Sequence, residues 1–357
     1  MSYPAVVQLR PDILVLGSGG VVGEAWLTGV LAGIEDAAGF DLRRCEYFIG
    51  TSAGAVVAAR LAAGERPRRP LNGDAPGSGL AGPDPGTLVA GETDGGREPQ
   101  LSVAAVARSA LTLAERTVGT AAERAGSIAA WSASAALSAS APIVPAGLAL
   151  AAPGGALARA VALRAMPRPL GEFAELREEL VGLSARFDGR LRVVAVARDS
   201  GRRTVFGQPH APHPRVADAV EASCALPWLV GPVQIDGVEY VDGGIWSPTN
   251  LDVAPAKRDT QVLCLSPTAG LFGPRRLDVG PLSPVGRRLS RSITLLESAA
   301  LRGRHAAVRL ITPDEEAAAA IGADLMDSRR GDRALRSGYH QGLRLSAQPK
   351  VRRLTAR

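Results

Sequence analysis

Residues 12–64 alternate short apolar runs, glycine loops and helical periodicity, and this order constrains the fold more than any other feature of the chain. Asp12-Ile-Leu-Val-Leu16 reads as a short buried strand, and Gly17-Ser-Gly-Gly-Val-Val-Gly23 as a glycine loop. Glu24 to Ala38 places Ala25, Leu27, Val30, Leu31 and Ile34 on one side of a helix. Tyr47-Phe-Ile49 is a second strand, and Ala53 to Ala63 a second helix. Two strand–loop–helix units in succession require right-handed crossovers, and therefore a parallel sheet covered by helices. The expected class is α/β.

The same signal returns after residue 172. Glu172–Leu183 has helical spacing, and Leu191–Val196 is an apolar strand followed by a turn at Asp199-Ser-Gly201. Thr204–Phe206 pairs back as a hairpin, Val216–Ser223 is a short helix, and Gln234–Val241 holds a hairpin around Asp236-Gly237. Gln261–Leu265 and Arg309–Ile311 are further strands, and Asp314–Met326 is a helix capped at Thr312 or nearby. Between the two halves the composition changes. Residues 65–100 are rich in Arg, Pro and Gly and read as a mobile loop, while 101–166 are Ala-rich with helical spacing, as a lid or an inserted spacer.

Bulk properties narrow the function classes. With 357 residues and a hydrophobic content of 46%, the chain has ample material for a core. The net charge of +6 rests on arginine, since lysine occurs only at 257 and 350. A basic surface suits anionic lipid or nucleic acid, but no nucleic-acid-binding motif is present, so nucleic acid is not an expected partner. Arg-rich segments near 66–69, 275–276 and 287–291 are candidates for contact with an anionic membrane. Cys45, Cys224 and Cys264 are too dispersed for a disulfide framework or a metal site. The opening residues lack a basic stretch followed by a long apolar core. The Ala/Ser-rich segment 127–152 is broken by proline. The expected location is cytoplasmic, with peripheral membrane contact.

The chemistry centres on Gly50-Thr51-Ser52-Ala53-Gly54, a G-x-S-x-G between a strand and a helix. A nucleophilic serine needs exposure, a base and donors for the oxyanion. Flanking glycines permit the sharp bend, and the helix adds its positive end. The alternative is a small residue opening a helix. Four histidines (His210, His213, His305, His340) could supply the base, but none sits on a strand-end loop. Asp242, delivered to a strand end in Tyr240-Val241-Asp242-Gly243-Gly244, is the better candidate, against a plain β-turn. The amides of Gly17, Ser18, Gly19 and Gly20 form a nest suited to an oxyanion. A dinucleotide-type reading of Gly17, Gly19 and Gly23 lacks the acidic residue expected at the end of the second strand.

Taken in order, "LGSGGVVG" (16–23), "GTSAG" (50–54) and "DGG" (242–244), with the approach "ASCALPWLVGPVQIDGVEYVDGG" (222–244), resemble the patatin-like phospholipases. The resemblance covers about 12–64 and 172–265, more faintly to about 342. It implies a three-layer sandwich with a mainly parallel central sheet flanked by helices. It also implies one patatin-like domain across 1–357, with its core in 12–64 and 172–342. The implied activity is a lipid acyl-ester hydrolase, phospholipid or lysophospholipid first, with acylglycerols and small esters open. Ser52 would be the nucleophile and Asp242 the base, with no catalytic histidine, metal or cofactor. Gly19 and Gly20 would supply oxyanion amides, with Gly17 or Ser18 in reserve. Gly23, Gly50, Gly54, Gly243 and Gly244 would be the motif glycines. Val22 stands where the family often carries a basic residue. Trp228, Leu229 and Val230 are candidates for an acyl channel or for core. The competing functions are a catalytically silent lipid-binding protein and a nucleotide-dependent oxidoreductase.

Overall fold

The computed structural model describes residues 10–70, 155–165, 174–227, 229–273 and 284–347. Residues 71–100 of the loop expected over 65–100, most of the Ala-rich stretch, Trp228 and Arg275–Arg276 lie outside these described residues. Among the described residues eight strands form one sheet: β1 (Ile13–Leu16), β2 (Tyr47–Thr51), β3 (Leu191–Ala197), β4 (Arg202–Phe206), β5 (Val233–Ile235), β6 (Val238–Asp242), β7 (Gln261–Leu265) and β8 (Ala307–Ile311). Their order is β5-β6-β3-β2-β1-β7-β8, with β4 also paired to β3. The run β3-β2-β1-β7-β8 is parallel, and β4, β5 and β6 add antiparallel pairings. The mainly parallel α/β sheet expected from the sequence is present.

Alternation along the strands creates two buried faces. Leu14, Leu16, Phe48, Val193, Ala195, Leu263 and Leu265 pack in one apolar cluster with α1 (Gly20–Ala38), α2 (Ala53–Ala62) and α5 (Val216–Cys224). Their neighbours Ile13, Val15, Ile49, Val194, Val262 and Cys264 pack on the opposite face with Leu301 of α6 (Pro284–Gly303). The inserted stretch contributes α3 (Ala156–Ala165), whose Leu163 meets Val196 and Val241. The helix expected from 172 is α4 (Ala174–Val181). The one expected over 314–326 is shorter: α7 (Glu315–Ile321) starts at Asp314, whose carboxylate accepts from the Ala317 amide at 3.0 Å, and ends at Gly322 with φ 77°. The first helix opens four residues earlier than its apolar spacing indicates, at Gly20.

The last helix among the described residues, α8 (Gly331–Ala347), lies directly against α1. Gly29 and Gly33 of α1 meet Gly338 and Gly342 of α8, each pair spaced by four residues and so on one helical face. A Cβ at Gly33 would strike the Tyr339 carbonyl, and one at Gly342 the Val30 carbonyl. The two backbones are in contact, and any side chain there would drive them apart.

The site is positioned by one edge of β3. The first part of β3 pairs in parallel with β2, ending at Thr51 opposite Val194. The next residues pair antiparallel with β6, which ends at Asp242 opposite Ala195. Since β4 pairs with β3 over the same stretch, β2 and β6 share the other edge. They run toward each other along it, and their carboxyl ends meet.

Candidate active site

Ser52 follows β2 immediately and caps α2 with φ 54° and ψ −125°. Positive φ in a non-glycine residue is strained, and such strain concentrates at functional turns. The turn is tight enough that a Cβ at Gly54 would collide with the Leu16 carbonyl and one at Gly50 with Ala55 Cα. Both glycines of the G-x-S-x-G are therefore required sterically. The Ser52 amide donates to Ser223 Oγ (2.9 Å), and that hydroxyl donates to the Val194 carbonyl (2.6 Å). Ser223 thus ties the strained residue to the strand beside it.

Asp242 reaches the same place from β6. Its amide donates to the Ala225 carbonyl (2.9 Å), just beyond α5, so the end of α5 holds both Ser52 and Asp242. The Gly244 amide donates to Asp242 Oδ1 at 2.6 Å. Asp242 is 1% exposed, and its Oδ2 has no partner in regular hydrogen-bond geometry among the described residues. Burial raises its carboxyl to about 6, and the nearby Ser52 hydroxyl and Gly244 amide partly offset that rise. Cys224 adjoins the pair. Burial and the negative charge of Asp242 push its thiol well above its ordinary range, keeping it protonated.

The glycine loop completes the crevice. A Cβ built on Gly244 would lie 3.5 Å from Ser18 Cβ, so the Asp242 turn and the first loop are neighbours. The four expected oxyanion donors divide into two groups. The Gly17 amide donates to Leu265 O (2.9 Å) and the Ser18 amide to Pro248 O (2.8 Å), so neither is available to an oxyanion. The Gly19 and Gly20 amides, at the positive start of α1, have no acceptor among the described residues. Gly23 closes the first turn by donating to Gly19 O (2.8 Å). Gly243 packs over Val194, where a Cβ would strike its carbonyl.

Among the described residues no histidine hydrogen-bonds Ser52 or Asp242. Leu229 is half-buried and Val230 buried, just before β5. Arg287, from one of the segments expected to contact an anionic membrane, is instead buried on α6. The Arg159 guanidinium of α3 stacks 4.1 Å from the Trp246 ring, which anchors the inserted helix next to the Asp242 turn.

Sequence reading did not single out Ser223, Asn250 or Glu297. Asn250, at φ 49°, donates from Nδ2 to Thr51 Oγ1 (3.1 Å), Gly243 O (3.3 Å) and Ser247 O (2.8 Å). Glu297 of α6 accepts at Oε2 from Thr249 Oγ1 (2.8 Å) and the Leu251 amide (2.9 Å). A carboxylate in an apparent solvent-facing run of Ser, Thr and Arg carries no pattern that marks it as buried. The available signal was the four-residue spacing of Ser290, Thr294 and Ser298, all buried on one face of α6.

None of the curated proteins matches the chain. Among solved structures, VipD from Legionella pneumophila superposes with a TM-score of 0.41 at 15% identity, over 94% of this chain and 67% of that one. The family model described as patatin-like phospholipase matches residues 112–255. The matched span holds β3, α5, β6 and Asp242, while the glycine loop and Ser52 precede it. Over residues 112–255, the chain is similar to the patatin-like phospholipases.

Proposed function

We propose that this protein is a serine acyl-ester hydrolase of lipids, working through Ser52 and Asp242. The observation that carries this reading is the buried Asp242 carboxylate, its Oδ2 unpartnered, beside a serine held at positive φ. Ser52 Oγ attacks the ester carbonyl carbon, and its proton passes to Asp242 Oδ2. The charge on the carbonyl oxygen is met by the Gly19 and Gly20 N–H groups and the positive end of α1. Collapse breaks the ester C–O bond, and Asp242 returns the proton to the departing alcohol. A water molecule then gives a proton to Asp242 as its oxygen attacks the acyl carbon; the acyl C–Oγ bond breaks, Asp242 returns the proton to Ser52 Oγ, and the fatty acid leaves.

A carboxyl that titrates at about 6 is ionised at neutral pH yet more basic than an ordinary aspartate, as a general base requires. The patatin-like match favours phospholipid or lysophospholipid as substrate. The test is fluorophosphonate labelling together with fatty-acid release from defined phosphatidylcholine vesicles. Wild type takes the label and releases fatty acid, while Ser52→Ala does neither. Retention of label or activity by Ser52→Ala would remove the nucleophile from this scheme.

A further inference from the structure

Residues 247–251 touch all three chemistry-bearing turns. Pro248 O accepts from the Ser18 amide of the glycine loop at 2.8 Å. Asn250 Nδ2 reaches Thr51 Oγ1, next to Ser52, and Gly243 O, next to Asp242. The segment also presses on Gly17, where a Cβ would lie 2.9 Å from Pro248 O and 3.1 Å from Thr249 Cγ2. Its position therefore fixes the relative placement of nucleophile, base and oxyanion amides.

The segment is held from behind by one side chain of α6. Glu297 accepts from Thr249 Oγ1 and the Leu251 amide, and the Ser247 hydroxyl also favours its charged form. Ser247 Oγ in turn accepts from the Thr249 (3.3 Å) and Asn250 (3.0 Å) amides. Thr294, one turn back on α6, donates to Ser290 O and adjoins Thr249 Oγ1.

We infer that Glu297 is a positioning residue for the hydrolase, its carboxylate anchoring 247–251 and through it the geometry of Ser52, Asp242 and the glycine loop. The inference rests on the hydrolase reading above. An ionised carboxylate can accept from all three donors at once. Thr249 Oγ1 and the Leu251 amide converge on Oε2, and protonation of the carboxyl removes the charge that makes both bonds strong. The charged groups around it act consistently. Asp252 on the adjoining turn disfavours the charge of Glu297, while Asp252 itself is paired to Arg203 of β4 at 2.7 Å. Cys264 of β7 faces it as a protonated thiol. Burial raises Glu297 to about 7, so the anchor changes state within the physiological range.

The test is the rate of fluorophosphonate labelling of Ser52 in the full chain between pH 5 and 9, for wild type, Glu297→Gln and Thr249→Val, with thermal melts alongside. The expected wild-type rate climbs in two steps, near pH 6 for Asp242 and near pH 7 for Glu297. Glu297→Gln should lose the upper step and fall about tenfold or more at its plateau, as displaced catalytic groups do. Thr249→Val, which keeps the carboxylate, should retain the upper step with a smaller loss. Should Glu297→Gln not fold, a wild-type profile with one step and a Thr249→Val rate equal to wild type overturn the inference. A folded Glu297→Gln with the wild-type rate and profile, or with a lower melting temperature alone, also overturns it. Wild type that takes no label at any pH overturns the hydrolase reading, and this inference with it.

Discussion

Replacing Asp242 with asparagine separates the energetic role of this side chain from its chemical role. The carboxyl titrates at about 6 in the fold against an ordinary 3.8. The folded state therefore holds its proton over a window in which the unfolded chain has released it. Stability then falls as pH rises through that window, and the cost of the ionised form is complete above about pH 6. Each pH unit between the two values is worth about 1.4 kcal/mol, so the full cost is about 3 kcal/mol. Asparagine keeps an oxygen for the Gly244 amide and does not titrate. Its unfolding free energy relative to wild type should rise by about 2.5 kcal/mol between pH 4 and pH 8, because part of the window already lies below pH 4. Urea denaturation followed by tryptophan fluorescence at the two pH values measures this. Comparing the two differences cancels every other titrating group, Glu297 included, and any fixed cost of the amide itself. The variant should also lose fatty-acid release. A relative stability that stays flat between pH 4 and pH 8, or that declines, would show that burial does not oppose the Asp242 charge.

Two further substitutions probe the scaffold. Ser223→Ala removes the acceptor of the strained Ser52 amide and leaves that buried N–H unsatisfied, at a cost of about 1–3 kcal/mol. It should lower kcat on a p-nitrophenyl ester by about tenfold or more with KM little changed, and an unaltered kcat would remove Ser223 from the site. Gly33→Ala gains up to about 1 kcal/mol of helix propensity but drives a methyl into the Tyr339 carbonyl. Overpacking of about 1–3 kcal/mol should outweigh the gain and lower the melting temperature, while a rise would show that α1 and α8 separate freely.

The α/β class was legible because the apolar runs at 13–16, 191–197 and 261–265 are bounded by glycine or turn residues. The same rule placed Ser52 and Asp242 at the ends of strands. That those ends meet was not legible, because it depends on β2 and β6 sharing one edge of β3, a pairing that joins segments about 190 residues apart in the chain. The division of the expected oxyanion donors was equally hidden. Gly17 and Ser18 resemble Gly19 and Gly20 in sequence, and only the acceptors Leu265 O and Pro248 O distinguish them. The α6 helix failed to register because its buried face carries Ser290, Thr294 and Ser298 where periodicity rules look for leucine. Helix α7 stops early because Gly322 takes a left-handed φ.

The contact between α1 and α8 bears on how the protein matures during synthesis. The helix that presents Gly19 and Gly20 emerges from the ribosome with its Gly29–Gly33 groove uncovered, and the matching groove is encoded some three hundred residues later. Until α8 docks, the middle of α1 lacks the backbone that covers it, while the start of α1 waits on Pro267 and Leu325. The glycine groove of α1 is therefore covered only after Gly338 and Gly342 have been added, long after Ser52 and Asp242.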